Sequence, residues 1–208
     1  EDIAKVKESD IIKSMGAFIS AQYNIDGGVV FGGRRMSTNL FFEAIPDEFI
    51  DVKSDEWKFE APTEEEIDSG RVFIPIIIPR HYLNLYNFGF SQTSSGLPQL
   101  TESFMKDLEL EVEISKGFQR DRYVGRIVGL TDRLNTILVP ESFIEWSNDY
   151  YATNKQGEVM RLILEVDNPS SPEFQAFLKD NNYIAEGKPA ESGKALFILK
   201  VVVGLIVA

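Results

Sequence analysis

Ser103-Phe104-Met105-Lys106 carries the spacing of an acyl-transferring serine, because one helical turn brings a Lys amine beside a Ser hydroxyl. The companion Ser-Asp-Asn and Lys-Thr-Gly elements of such enzymes are missing from the chain. Gly27 and Gly32 have the separation of a phosphate-binding loop. Gly33 and Arg34 fill the positions where that loop needs its Lys and its hydroxyl, so a glycine-bent hairpin is the better reading. Asp51-x-Lys53-x-Asp55 has part of a calcium loop, but Glu56 stands where the loop needs Gly and Pro62 where it needs its bidentate acid. Glu109, Glu111 and Glu113 lie about 7 Å apart on one face of a strand, where an exposed sheet surface explains them without a cation. The single histidine, His81, follows Pro79-Arg80 and reads as a surface or capping residue. Asn168-Pro169-Ser170 resembles a glycosylation sequon that Pro169 disables. No nucleophile, base and oxyanion site assemble from these parts, which points away from an enzyme. The expectation is no catalytic residue, no metal and no cofactor.

Composition narrows the classes further. The 208 residues include 33 acidic and 21 basic ones, a formal net charge of −12. Such a chain repels phosphate backbones, so nucleic acid is excluded as a partner. Zero Cys and one His exclude disulfide scaffolds, thiolate chemistry and multi-His metal sites. Apolar residues make up 43%, with 15 Phe, enough for a real core. The chain opens on Glu1 without Met and shows no signal peptide, which suggests an excised piece of something longer.

The positioning elements follow from periodicity. Glu1 to Met15 has a loose helical stripe of Ile3, Val6 and Ile11 or Ile12. Ala17 to Ile25 reads as a strand turning at Asp26-Gly27-Gly28, and Val29 to Phe31 and Leu40 to Ile45 continue a β pattern. Thr63 to Glu66 forms a capping box opening a short helix that stops by Gly70. Arg71 to Ile78 is a strongly apolar strand that reads as central, and Pro75 weakens that reading and suggests an edge or a bulge. Gln99 to Lys106 is a short helix. Leu108, Leu110, Val112 and Ile114 alternate with three Glu in a half-buried antiparallel strand. Tyr123 to Leu130 and Asn135 to Val139 are further strands. Pro140 starts a helix with Phe143, Trp146 and Tyr150 on one face. A β–α–β unit closes the pattern: Val159 to Val166, then a helix capped at Ser171 with Phe174, Phe177 and Leu178 as its stripe, ending at Asn181-Asn182. The class is α+β, with more strand than helix.

Lys194 to Ala208 is the most apolar stretch, interrupted only by Lys194, Lys200 and Gly204. It falls short of the about 20 residues a membrane span needs. Its β-branched residues fit a buried strand, and its abrupt end fits the opening turns of a truncated membrane helix, which is the favoured expectation.

Three stretches carry a family resemblance. They are Phe41 to Val52, then Ile74 to Pro79 followed by Tyr82 to Phe90 and Gly96-Leu97-Pro98, then Val124 to Leu130 followed by Val139-Pro140. Together they resemble the extracytoplasmic domain of FtsX-like, MacB-type ABC-transporter permeases, in a form common in Bacteroidetes. The resemblance implies two lobes: an α/β Porter-like lobe over 17–90 plus 157–191, and an inserted, mainly-β Sabre-like lobe over 91–156. It implies stalks at 1–16 and 192–208, the latter starting a second transmembrane helix. It implies a non-catalytic module on the periplasmic side of the inner membrane that transmits ATP-driven motion and docks external partners. Implied partners are a cytoplasmic ABC ATPase, a second permease copy or paralogue, and a periplasmic adaptor, lipoprotein or outer-membrane protein. The docking candidates are the loops holding Ser91, Gln92, Thr93, Ser94 and Ser95, and Phe118, Gln119 and Arg120. The alternative expectation is a free secreted module binding a peptide or lipid, with the apolar tail as core.

Overall fold

The computed structural model describes residues 11–31, 34–91, 99–152, 161–168, 170–181, 183–186 and 195–200. Its strands are β1 (Ile12–Ala17), β2 (Ile19–Ser20), β3 (Asn24–Phe31), β4 (Arg34–Leu40), β5 (Phe42–Ala44), β6 (Phe73–Pro79), β7 (Glu109–Lys116), β8 (Gln119–Thr131), β9 (Ile137–Leu138), β10 (Arg161–Val166), β11 (Ile184–Glu186) and β12 (Ala195–Lys200). Its helices are α1 (Glu64–Asp68), α2 (Arg80–Leu85, running into a π-helical turn Tyr86–Phe90), α3 (Glu102–Lys106), α4 (Glu141–Tyr151) and α5 (Pro172–Asp180), with a 3₁₀ turn at Asp47–Phe49. Strands dominate, and the α+β class holds.

The chain forms two compact units. One comprises Glu1–Phe18, Ile45–Phe49 and Glu158–Ala208. Its four-stranded sheet has the order β1-β10-β12-β11, antiparallel throughout. Leu162, Leu164 and Val166 of β10 are fully buried with Phe174 of α5. Ser171 caps α5 by accepting from the Phe174 N–H at 3.1 Å, with Pro172 just inside the helix as its fixed φ favours.

The second unit comprises Ile19–Ala44 and Ile50–Gly157. Its eight-stranded sheet has the order β2-β5-β9-β6-β8-β7-β3-β4. The pairs β5–β9 and β6–β8 are parallel and the others antiparallel. α4 buries Phe143, Ile144, Ser147 and Tyr151, while Trp146 and Tyr150 flank that stripe half-buried. Phe143 meets Phe59 edge-on at 5.0 Å between ring centroids and Phe42 at 6.1 Å, geometries that aromatic quadrupoles favour. The capping box at Thr63 and Glu66 is formed as expected.

Several expectations change. Asp26-Gly27-Gly28 is not a turn: β3 runs straight through it, and the hairpin closes beyond Phe31. A Cβ on Gly27 would lie 2.3 Å from Leu40 Cδ1, so the glycine makes room for a cross-strand side chain. β6 is central as read, and of the two readings of Pro75 the edge fails and the bulge stands, with the register slip between Ile76 and Ile77. β9 pairs with β6 only at Ile77, so the ladder on that side asks no N–H of Pro75. Ile12 to Met15 are strand, not helix, because their partners on β10 supply the missing hydrogen bonds. Ala195 to Lys200 are also strand and not helix, paired residue for residue with Val166 to Arg161, while the rest of the expected helix, 201–208, lies outside the described residues. No helix among the described residues is long and apolar enough to cross a membrane. The expected loop boundary at Ser91 does not separate two sheets, since β6 before it pairs with β8 after it.

Candidate docking surfaces

Several of the side chains that carried possible chemistry are engaged in the scaffold. Lys106 Nζ pairs with Glu102 Oε1 at 3.5 Å along α3 rather than serving Ser103. Asp51 accepts from Thr131 Oγ1 at 2.6 Å and from the Asp132 N–H at 3.2 Å, stapling its loop to the end of β8. Arg80 donates through Nε to Asp132 Oδ1 at 2.9 Å and through Nη1 to Glu102 Oε2 at 2.7 Å. The hydrogen bonds from Arg80 hold the Glu102 carboxyl below its ordinary range. His81 is exposed and packs edge-on to Tyr82 at 4.5 Å. Of the three strand glutamates, Glu113 pairs with Arg120 and Arg122, and Glu109 with Arg126. No group of three or more His, Asp or Glu among the described residues is placed to hold a metal ion.

The most concentrated polar feature is a tyrosine cluster between α4 and the sheet, which the sequence reading missed. Tyr151 Oη donates to Asp121 Oδ2 at 2.7 Å, and the hydroxyls of Tyr123 and Tyr151 bond each other. Because Tyr151 spends its proton on Asp121, Tyr123 is the donor to Tyr151. Gln119 Nε2 also donates to Asp121, at 2.9 Å. Nearby, Tyr23 Oη donates to Ser147 Oγ at 2.6 Å, and Ser147 Oγ donates in turn to the Phe143 carbonyl at 2.6 Å. Burial raises the Tyr23, Tyr123 and Tyr151 hydroxyls above the ordinary phenol range, and the bond to Asp121 adds to the shift of Tyr151. A phenol held neutral supplies neither base nor nucleophile at neutral pH. This cluster is therefore a clamp, fixing α4 to β8.

The clamp has a pH signature. Unfolded tyrosines ionise near pH 10, and these three stay protonated past that point while the chain is folded. Their contribution to stability is complete below about pH 10 and is lost as pH rises further. In an absorbance titration of the seven tyrosines, Tyr23, Tyr123 and Tyr151 should ionise only as the fold opens, with circular dichroism changing in step. Reversible ionisation of all seven near pH 10 with unchanged dichroism would contradict the assignment.

The expected docking residues separate into two groups. Ser91 donates from Oγ to the Asn87 carbonyl at 2.8 Å and finishes the helical turn. Gln92, Thr93, Ser94 and Ser95 lie outside the described residues. Phe118, Gln119 and Arg120 come together at a hairpin tip. β7 and β8 pair from Glu109–Arg126 to Lys116–Gln119, leaving Gly117 and Phe118 as a two-residue turn. Gly117 takes φ 61°, which such a turn requires and only glycine adopts freely. Phe118 is 108% exposed, so its ring does nothing for the fold. Arg120 and Arg122 follow it along β8 and share Glu113 at 3.2 and 3.5 Å. A paired hairpin thus presents one exposed aromatic ring at its tip.

A second exposed apolar group lies on the helix that starts at Arg80, where Tyr82, Leu85 and Phe88 face solvent. No curated protein matches the chain. A family model does match, over residues 1–188, and by that match the chain belongs to the PCD-like family, the "Probable transporter periplasmic core domain".

Proposed function

We propose that this chain is the non-catalytic periplasmic part of an ABC-transporter permease, passing motion generated at a cytoplasmic ATPase to partners outside the inner membrane. The observation that carries the reading is the family match over residues 1–188. The engagement of Lys106, Asp51, Arg80 and Glu113 in scaffold bonds supports it. We read the unit built from early and late segments as the α/β lobe, and Ile19–Ala44 with Ile50–Gly157 as the inserted, mainly-β lobe. This moves the boundaries implied by the resemblance and splits the inserted lobe in two, because Ile45–Phe49 belongs to the first unit. The partners are the ATPase, a second permease copy or paralogue, and a periplasmic adaptor, lipoprotein or outer-membrane protein. Phe118, Gln119 and Arg120 form one docking point, and the Ser91 to Ser95 loop is the other. An aromatic anchor beside arginines matches the composition of interface hot spots.

Motion is testable because the chain has no cysteine. Spin labels at Ser37→Cys and Ser170→Cys, one on each unit, are read by double electron–electron resonance in the whole transporter. The distance distribution should shift between the ATP-bound and nucleotide-free states. Identical distributions in every nucleotide state would refute transmission through this domain.

A further inference from the structure

We propose that the outward side of the helix running from Arg80 to Phe90 receives a short, uncharged apolar segment of a partner protein. This goes beyond the docking points above. Tyr82, Leu85 and Phe88 recur every three residues and are 39%, 64% and 70% exposed, while Leu83 turns into the core. The helix is held at both ends. Arg80 is fixed by Glu102 and Asp132. Asn87 donates from Nδ2 to the Leu100 carbonyl and accepts from the Leu100 N–H, both at 2.8 Å. The apolar side chains therefore stand on a rigid platform, and docking onto it costs little ordering entropy.

Charge and area select the occupant. The chain carries 33 acidic residues, yet none from Ser69 to Thr101. The one arginine in the helix is already paired with two carboxylates. Tyr82, Leu85 and Phe88 carry no charge and two of the three are aromatic, the composition of an interface core. Its complement is a neutral apolar surface, since a charged group set against it would lose water without gaining a partner. Three side chains offer a few hundred Å² at most, well short of the roughly 1,200–2,000 Å² a stable protein pair buries. Two copies at −12 each would also repel. A single segment laid across the stripe fits both limits.

The test pans a displayed random-peptide library against the immobilised 208-residue chain, with counter-selection on L85E/F88E. Both positions are exposed, so the substitutions leave the fold intact. A second variant, L85S/F88S, with circular dichroism on each, guards against misfolding. Selected peptides should be apolar and uncharged, and bind equally at low and high salt. L85E/F88E and L85S/F88S should weaken them at least about tenfold, the loss of one buried anchor. F118S should leave them unchanged, which separates this face from the hairpin tip. Four results would each overturn the proposal. They are no selected peptide, peptides held equally by the variants, binding to phosphatidylethanolamine–phosphatidylglycerol vesicles that L85E/F88E abolishes, and self-association in sedimentation that L85E/F88E abolishes. None of these bears on the distance shifts that test transmission.

Discussion

Phe143→Ala should lower the unfolding free energy by about 3–5 kcal/mol, the range for truncating a fully buried aromatic ring. Phe143 sits under the sheet with no exposed surface. Its ring touches Phe42 on β5, Phe59 in the long connection, and Trp146 one turn along α4 at 6.0 Å. Three segments far apart in sequence lose a shared neighbour at once, and the surrounding strands are too constrained by their ladders to collapse into the gap. The transfer term and the cavity term therefore add. For a chain of this size the midpoint should fall by the order of 10 °C. Denaturant unfolding measures it directly: the midpoint moves and the slope stays. Phe118→Ala is the matched control, with the same chemistry at a fully exposed turn, and should change stability by less than about 0.5 kcal/mol. Equal costs at the two positions would mean that the core is not organised around Phe143.

That contrast also marks what the residues alone could disclose. The alternation of Val112 and Ile114 with Glu111 and Glu113 is a local pattern, and the strand it implies is present with the buried face as read. The capping box at Thr63 is equally local, since donor and acceptor lie three residues apart. Asp26-Gly27-Gly28 misled because a glycine pair serves a turn and a close approach equally well. Only the presence of Leu40 on the neighbouring strand decides between them. Ala195 to Lys200 misled for a related reason: a short apolar run suits a helix in lipid or a strand between two partners, and the partners β10 and β11 come from other parts of the chain. The boundary placed at Ser91 followed composition, whereas the parallel pairing of β6 and β8 is a long-range event. Of the exposed apolar features, the segment holding Phe118 was singled out with the family resemblance. The helix face was not, because which of Tyr82, Leu83 and Leu85 points outward depends on where the core lies.

These lessons bear on function through rigidity. The proposed function requires a domain that carries load without deforming and docking elements that hold their orientation. The hairpin tip grows from β7 and β8, paired over eight residues of β7. The Arg80 helix continues directly from β6, the strand paired with β8. Both exposed apolar features are therefore mounted on the middle of the eight-stranded sheet. A ring on a floppy loop would lose its contact energy to ordering, and these do not. The tyrosine clamp belongs to the same scheme, because it binds α4 to the strand that carries the tip.

The clamp gives the second large effect. Tyr151→Ala should cost about 3–5 kcal/mol through its cavity alone, while leaving Tyr123 and Asp121 short of a partner. Tyr151→Phe keeps the ring and removes only the hydroxyl, so its cost isolates the hydrogen bonds at about 2 kcal/mol. Tyr123→Phe removes the outer donor and leaves the Tyr151–Asp121 bond in place, so it should cost about 1 kcal/mol. The double variant Tyr123→Phe/Tyr151→Phe should then cost less than the sum, because with both hydroxyls gone no buried phenol is left seeking a partner. Both single variants and the double should also reduce the alkaline loss of stability, since each removes a phenol that the fold holds neutral. Strict additivity, with the alkaline transition unmoved, would mean that the two tyrosines act as separate packing residues, and that α4 is held to β8 by its apolar face alone.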